Sequence, residues 1–325
     1  MEEDMYTVAV VGPIHEEGMK LFYARSDVQA SVLQDLSPEG IARGVTGVDA
    51  ITVRTQILPK ETLALAPGLR VVSRHGVGYD NVDVAYLSSR KIPMAIAVDA
   101  NYTAVAEHTL MMMLCLAKDA EEGDRAVRDG TFTWRNKGTL SDLMGKRVLL
   151  LGFGRIGRCV AALCKAFGMH VSAHDPYVAE SLASGVDMVR DWKKALPIVD
   201  FLSLHLPSTP ETLGMIGEKE LSAMKNTAFV INCARGGVID EDALAEALAQ
   251  GSIRGAGLDV FLDEPPDHTH PLFSQKRCIF SPHNAALSLE CAIRMATQCA
   301  QNVLDCLDGT LQARVLVNGK EIGMA

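Results

Sequence analysis

Short, nearly continuous apolar runs alternate along this chain with segments of helical period. Val8–Gly12 is the first such run. It ends in a Gly-Pro turn, and His15–Ala24 follows with apolar residues at helical spacing. Ala50–Arg54, Val71–Arg74 and Met94–Val98 are further short runs, separated by helical or turn segments. Nearly continuous apolar runs of this length suit strands covered on both faces, so the pattern predicts a small parallel α/β unit. Asn101–Lys118 reads as one long helix, capped by Asn101 or Thr103 and apolar on nearly every face. Met111, Met112 and Met113 fall on it as core or subunit-interface residues. From Val148 the alternation restarts, with runs at Val148–Leu151, His170–His174, Phe201–Leu204, Ala228–Asn232, Gly255–Asp259 and Cys278–Phe280. These predict a second doubly wound sheet of about six strands. A last helix, Leu287–Leu307, and the run Val315–Asn318 have no sheet of their own. Their economical place is against the first unit. The predicted organisation is therefore α/β, with an outer domain split between residues 1–100 and 288–325 and a continuous domain, 101–287, inserted in it.

The turn after the Val148 run is the most specific motif. Gly152-Phe153-Gly154-Arg155-Ile156-Gly157 follows the strand at once, a helix is predicted over Arg158–Gly168, and a second strand ends at Asp175. The interval from Gly157 to Asp175 is close to the roughly 20 residues of a dinucleotide-binding βαβ unit. Gly152 permits the tight turn, Gly154 lets backbone N–H groups approach a pyrophosphate, and Gly157 lets helix and strand pack closely. The helix N-terminus adds partial positive charge. Asp175 would accept hydrogen bonds from the adenosine ribose and repel a 2′-phosphate, which favours NAD over NADP.

Composition narrows the picture. A chain of 325 residues, 48% hydrophobic, supports two domains with ample core. The net charge of −9 argues against a nucleic-acid partner, which needs a concentrated basic face. The acidic start Met1-Glu2-Glu3-Asp4 is unlike a signal peptide, and no apolar run reaches the length of a membrane span. A soluble, cytoplasmic protein is expected. The eight cysteines lack any C-x-x-C pair and lie mostly in apolar surroundings, which reads as reduced, buried thiols. His268 and His270 form an H-x-H pair without further ligands nearby, so no metal site is assigned.

Three later loops each follow a predicted strand of the inserted domain. They carry Asn232-Cys233-Ala234-Arg235-Gly236-Gly237, Asp259 with Asp263-Glu264-Pro265-Pro266, and Ser281-Pro282-His283-Asn284-Ala285-Ala286. Ligands of parallel sheets bind at the carboxyl ends of strands, where such loops emerge. Taken singly, an exposed Arg, Glu or His is usually solvated surface. Converging beside a nicotinamide, the three make a coherent hydride-transfer site. Histidine can take or return the hydroxyl proton of a 2-hydroxy acid. A carboxylate partner orients its ring and favours its protonated form, and an arginine offers a donor fork to a carboxylate or a C2 oxygen.

With these residues the chain resembles the D-isomer-specific 2-hydroxyacid dehydrogenases, a family that includes phosphoglycerate dehydrogenases, hydroxypyruvate/glyoxylate reductases and the C-terminal binding proteins. The matching blocks, in order, are Arg74-His75-Gly76-Val77-Gly78-Tyr79-Asp80-Asn81-Val82-Asp83, Asn101 with Val105-Ala106-Glu107-His108-Thr109, the glycine loop, Leu204-His205-Leu206-Pro207-Ser208-Thr209-Pro210, Asn232–Gly236, Asp263-Glu264-Pro265 and Pro282-His283. The resemblance implies an NAD-binding Rossmann domain inserted into a discontinuous, flavodoxin-like substrate domain. It implies His283 as acid/base, Glu264 as its partner and Arg235 as the substrate-orienting cation. It also implies that the Val77 and Gly78 N–H groups bind the substrate carboxylate. NAD would be held by Gly152, Gly154, Arg155, Ile156, Gly157 and Asp175, with His205, Pro207, Thr212, Cys233 and Ala234. Asp259 and Asn101 or Thr103 would lie near the nicotinamide end.

Arg54 and Arg74, at strand ends, resemble the basic residues that meet a substrate phosphate in phosphoglycerate dehydrogenases. The expected substrate is thus a phosphoglycerate-like or hydroxypyruvate/glyoxylate-type acid, with no regulatory domain expected after residue 325. Asn284-Ala285-Ala286 departs from the isoleucine and glycine-containing turn usual after the histidine, so a differently shaped wall is expected there. The uniformly apolar helix 101–118 suggests a homodimer. The rival reading is an NAD-sensing regulatory protein of the corepressor kind.

Overall fold

The computed structural model describes residues 5–138, 140–178 and 185–324; the acidic opening, 1–4, lies outside it. The chain divides into two compact units, Met1–Asn101 with Leu287–Ala325, and Tyr102–Ala286 between them in sequence.

The first unit is built on five parallel strands: β1 (Tyr6–Val11), β2 (Val28–Val32), β3 (Ala50–Val53), β4 (Val71–Arg74) and β5 (Met94–Ile96). Their order, β2-β1-β3-β4-β5, is that of the flavodoxin-like doubly wound sheet. The central β3 is buried at every position, including Thr52, the one polar residue in its otherwise apolar run. β2 was not expected from the sequence. It is an edge strand with exposed and buried residues alternating, and Gln29 and Ser31 break its apolar signal.

The helix Leu289–Leu307 joins this unit, packing on β3, β4 and β5 and crossing the helix Glu16–Tyr23. A Cβ on Gly18 would lie 2.6 Å from the Ala296 carbonyl oxygen, so the crossing is close because residue 18 is glycine. Polar groups pin the same seam: the Ser73 hydroxyl donates to the Cys299 carbonyl (2.9 Å) and Asn302 Nδ2 to the Ile96 carbonyl (3.1 Å). At the open edge, Asn318 accepts from the Met94 N–H and donates to the Ile92 carbonyl, both at 2.9 Å.

The second unit holds seven parallel strands: β6 (Arg147–Leu151), β7 (His170–His174), β8 (Asp187–Met188), β9 (Phe201–Leu204), β10 (Phe229–Asn232), β11 (Gly255–Leu258) and β12 (Cys278–Phe280). Six match the sequence runs. β8 is a two-residue edge strand without a hydrophobic signature. The order β12-β11-β10-β9-β6-β7-β8 is the doubly wound dinucleotide-binding arrangement extended by one strand. Winding reverses between β6 and β9, and this switch point is where such sheets bind ligands.

The helix Tyr102–Lys118 packs across β10, β11 and β12 and against the helix Arg155–Ala166. Met112 and Met113 are fully buried, and Gly257 leaves room for the Met112 sulfur. The unit's own core thus absorbs most of this helix's apolar surface, which weakens helix apolarity as an argument for a dimer. Met111 alone of the three methionines is exposed. All eight cysteines are free thiols. No described helix is long and apolar enough to cross a membrane.

Candidate active site

The glycine loop begins where β6 ends. Gly152 has φ +95°, and a Cβ there would sit 2.3 Å from the His205 carbonyl oxygen, so no other residue fits. A Cβ on Gly157 would fall 2.2 Å from the Gly152 carbonyl oxygen, the close helix–strand approach expected of the third glycine. Gly154 differs: a Cβ there would meet nothing within 4 Å. That open space stands over the N-terminus of the 12-residue helix Arg155–Ala166, whose N-cap, Gly154, has no side chain to engage the first-turn N–H groups. Those N–H groups and the helix dipole suit a bound anion, so the cradle fits a dinucleotide pyrophosphate. The helix starts three residues earlier than the sequence reading placed it. Gly157 lies inside its first turn because packing there overrides glycine's low helix propensity.

Asp175 follows β7 with its carboxylate at the rim of this loop. Its Oδ2 accepts from the Phe153 N–H (2.8 Å) and its Oδ1 from the Tyr177 N–H (2.9 Å). Arg155 is exposed and Ile156 half-buried beside it.

The loop after β9 lies under the glycines. Ser203 Oγ is 3.0 Å from His205 Nε2, and His205 Nδ1 is buried without a hydrogen-bond partner among the described residues. Burial pushes this ring down to about 4, so it is a neutral packing element rather than a charge for the phosphates. Thr212 closes the turn that follows, donating to the Pro207 carbonyl (2.7 Å) and accepting from the Thr209 N–H (2.8 Å). Cys233 is buried with Sγ 3.7 Å from Met112 Sδ, and burial raises its thiol to about 12. Ala234 donates its N–H to Asn232 Oδ1 (3.1 Å), and Thr103 is half-buried in the first turn of its helix.

Arg235, Glu264 and His283 sit on the loops that leave β10, β11 and β12, three neighbouring strands. His283 Nδ1 is 2.7 Å from Glu264 Oε2. A carboxylate only accepts, so Nδ1 carries the proton of this bond and Nε2 is left to exchange one. Glu264 is itself held, with Oε1 3.2 Å from the Phe261 N–H it accepts. Both side chains are partly exposed, His283 at 52% and Glu264 at 38%, which leaves the pair open to a reactant. His283 has φ +50°, a left-handed conformation that costs a non-glycine residue of order 1–3 kcal/mol. Beside it, the Arg235 turn packs backbone to backbone on the Glu264 loop. A Cβ on Gly236 would lie 1.7 Å from the Phe261 carbonyl oxygen. Arg235 Nη1 donates to the Ala234 carbonyl at 2.7 Å.

Asp259 is 1% exposed and its carboxylate is committed inside the protein, accepting from the Asn284 N–H (2.9 Å) and the Ala285 N–H (3.0 Å). It therefore holds the His283 loop.

Val77, Gly78, Arg54 and Arg74 belong to the first unit, at the carboxyl ends of β3 and β4. The Val77 and Gly78 N–H groups, half-buried, have no hydrogen-bond acceptor among the described residues. Arg74 folds back, donating from Nη1 to the His75 carbonyl (2.7 Å) across Gly76, where a Cβ would lie 1.6 Å from that nitrogen. Gly76 is thus required by Arg74. His75 is 5% exposed with Nε2 lacking a hydrogen-bond partner among the described residues. Burial first, then the charges of Arg54 and Arg74, push its ring down to about 4.

Two residues support the site in roles that the sequence reading did not assign. Asn232 clamps the Arg235 turn, with Nδ2 2.9 Å from the Arg235 carbonyl, and Glu241 Oε1 accepts from the Leu262 N–H (2.7 Å). Asn232 ends a strand that is otherwise apolar, and a polar residue in that place was a usable signal. Glu241 opens a helix, where acidic residues are ordinary, and carried none. His270, of the H-x-H pair, caps the turn Pro271–Ser274 and lies 3.0 Å from Asp242.

A parallel sheet with a glycine-lined cradle at its switch point and a histidine–carboxylate pair on adjacent strand ends defines a doubly wound, nucleotide-binding type of architecture. The family model for the D-isomer specific 2-hydroxyacid dehydrogenase, NAD binding domain, matches residues 110–285, and the chain belongs to this family. The D-3-phosphoglycerate dehydrogenase of Methanocaldococcus jannaschii is 35% identical over 315 residues, 96% of this chain and 59% of its own length. The chain thus spans only half to three-fifths of the curated relatives it matches. Among solved structures, a glyoxylate reductase from Paecilomyes thermophila superposes with TM-score 0.87 at 27% identity, covering 97% of this chain and 99% of that one. A D-lactate dehydrogenase from Aquifex aeolicus, complexed with NAD and lactic acid, gives TM-score 0.84 at 27% identity, covering 96% and 98%.

Proposed function

We propose that this chain transfers a hydride between NAD(H) and C2 of a D-2-hydroxy acid or its 2-keto counterpart. The observation that carries this reading is the 2.7 Å contact of His283 Nδ1 with Glu264 Oε2, on the sheet that holds the nucleotide cradle. When bound, NAD would accept the hydride from C2, or NADH return it. His283 Nε2 would take the C2 hydroxyl proton in oxidation and give it back in reduction. Glu264 would hold the ring and offset the positive charge that it gains. Arg235 would orient the substrate through a carboxylate or C2 oxygen. The Val77 and Gly78 N–H groups, with no acceptor of their own among the described residues, would bind the substrate carboxylate. The cradle residues Gly152 to Gly157 would hold the pyrophosphate and Asp175 the adenosine ribose.

For the distal group of the substrate, Arg54 is the better candidate of the two arginines. It is half-buried at a strand end and its guanidinium has no acceptor among the described residues, whereas Arg74 is turned onto its own backbone. This favours a phosphate or other polar group at the distal end of the substrate, among the phosphoglycerate-like and hydroxypyruvate/glyoxylate-type acids. The deciding experiment is a panel of hydroxypyruvate, glyoxylate, pyruvate and phosphohydroxypyruvate, followed by NADH absorbance. Arg54→Ala should raise KM for the phosphorylated acid most. Equal activity with glyoxylate and the phosphorylated acid, unchanged in Arg54→Ala, would remove the phosphate assignment. NADH binding without turnover of any acid would favour the nucleotide-sensing role instead.

A homodimer remains the proposed assembly. Its support is now the exposure of Val127, Phe132, Leu140 and Met144 along one stretch of the second unit, rather than the helix Tyr102–Lys118. Light scattering after size exclusion tests it.

A further inference from the structure

The strained backbone of His283 is held by a partly buried chain of hydrogen bonds that begins on a different element. Asp259 takes the N–H groups of Asn284 and Ala285, the two residues after His283, and its carbonyl accepts the His283 N–H at 2.8 Å. To accept both side-chain contacts, the carboxylate must keep one rotation about its Cβ–Cγ bond. Ser281 sets that rotation: its hydroxyl donates to Asp259 Oδ1 at 2.6 Å. A serine has one hydroxyl proton, and here Asp259 takes it. The 2.9 Å contact between Ser281 Oγ and His108 Nε2 must therefore run from the ring N–H to the hydroxyl oxygen. His108 lies on the helix Tyr102–Lys118, which the core of the unit fixes, and its Nε2 stands 3.7 Å from Asp259 Oδ1.

The trio contains a serine, a histidine and an aspartate, but it is not built to activate a nucleophile. That chemistry needs the histidine between the other two, taking the serine proton. Here the serine lies in the middle and gives its proton to the carboxylate.

We propose that His108 and Ser281 are positioning residues for the acid/base loop. They tie the carboxylate of Asp259 to a rigid helix, and through it keep His283 in the left-handed conformation. This inference rests on the reading of His283 as acid/base. If Ser281 lost its hydroxyl, the carboxylate would be free to turn toward His108. The Asn284 and Ala285 N–H groups would then lose their acceptor, and the left-handed turn at His283 would keep only its backbone bond to Asp259 and the ring contact with Glu264.

The test compares Ser281→Ala and His108→Leu with the conservative Ser281→Thr and His108→Gln, which keep the hydroxyl and the N–H. His283→Ala is the control. Ser281→Ala and His108→Leu should lower kcat by about 10- to 100-fold, the scale of a small misplacement of a catalytic group, with little change in KM or NADH affinity. The Thr and Gln replacements should restore most of it. A crystal structure of Ser281→Ala should show His283 outside the left-handed region. Wild-type kcat in Ser281→Ala and His108→Leu, whatever their melting temperatures, overturns the proposal. So does a loss that Thr and Gln fail to restore. If one Ser281 variant does not fold, the His108 pair decides. Wild-type turnover in His283→Ala would reject the acid/base assignment instead, and the backbone of His283 in Ser281→Ala would then judge the positioning role alone.

Discussion

His283 and Glu264 are 19 residues apart in sequence, yet Nδ1 and Oε2 meet at 2.7 Å. Removing the ring should therefore remove the chemistry and leave the nucleotide site. His283→Ala is expected to lower kcat by roughly 10²- to 10⁴-fold, the usual contribution of a positioned acid/base. NADH affinity, read by fluorescence, should hardly change. Full activity would reject the assignment.

Glu264→Gln keeps the shape of the side chain but loses the charge that holds the ring. A hydrogen bond to a charged group contributes about 1.5–3 kcal/mol. On the scale of 1.36 kcal/mol per tenfold, kcat should fall by roughly 10- to 100-fold. A loss as large as that of His283→Ala would mean that Glu264 does more than orient.

Asp175 holds its carboxylate at the rim of the glycine loop through the Phe153 and Tyr177 N–H groups. Asp175→Ala should weaken NADH binding and shift the ratio of NADH to NADPH affinity toward NADPH by about tenfold or more, the worth of about one charged hydrogen bond. Titration of both nucleotides gives the ratio. An unchanged ratio would show that the carboxylate serves only the loop.

Gly236 lets the Arg235 and Glu264 loops touch. Gly236→Ala forces a Cβ to within 1.7 Å of the Phe261 carbonyl oxygen, so one loop must move. A displacement of this kind can cost about 100-fold in kcat. A variant with wild-type kcat would show that the two loops need not be in register.

His75 and His205 are both held down at about 4, His75 by burial and then by Arg54 and Arg74, His205 by burial alone. In the unfolded chain both rings return to about 6.5. The unfolded state then binds protons that the folded state refuses, so stability is full above 6.5 and falls as pH drops from 6.5 toward 4. Each ring contributes on the order of 3 kcal/mol to that fall when it is complete. Urea unfolding at pH 7.5, 6 and 5 measures it. His75→Leu should flatten the slope, even if it shifts the overall level. The same slope in wild type and variant would remove His75 as a source.

Much of the fold was legible because the strands of the second unit are buried on both faces. Burial there demands mostly apolar runs, and the sequence shows them at β6, β9 and β10, with Ser203 and Asn232 as the buried polar exceptions. Edge strands β2 and β8 left no such trace, since one side of each meets solvent. The glycine loop was legible for a similar reason, as Gly152 and Gly157 sit where any side chain would collide with backbone.

The residue types of the candidate site were singled out in the sequence, since the proposed hydride transfer would need a proton carrier, a carboxylate and a cation at strand ends. What the sequence could not determine was how each is held. Asp259 reads as a ligand residue in a loop, and only the folded structure turns its carboxylate onto Asn284 and Ala285. Arg54 and Arg74 look equivalent as strand-end cations, and only the structure folds one onto its own backbone. These outcomes depend on hydrogen bonds between residues far apart in sequence, and local pattern carries no record of which distant donor meets which acceptor.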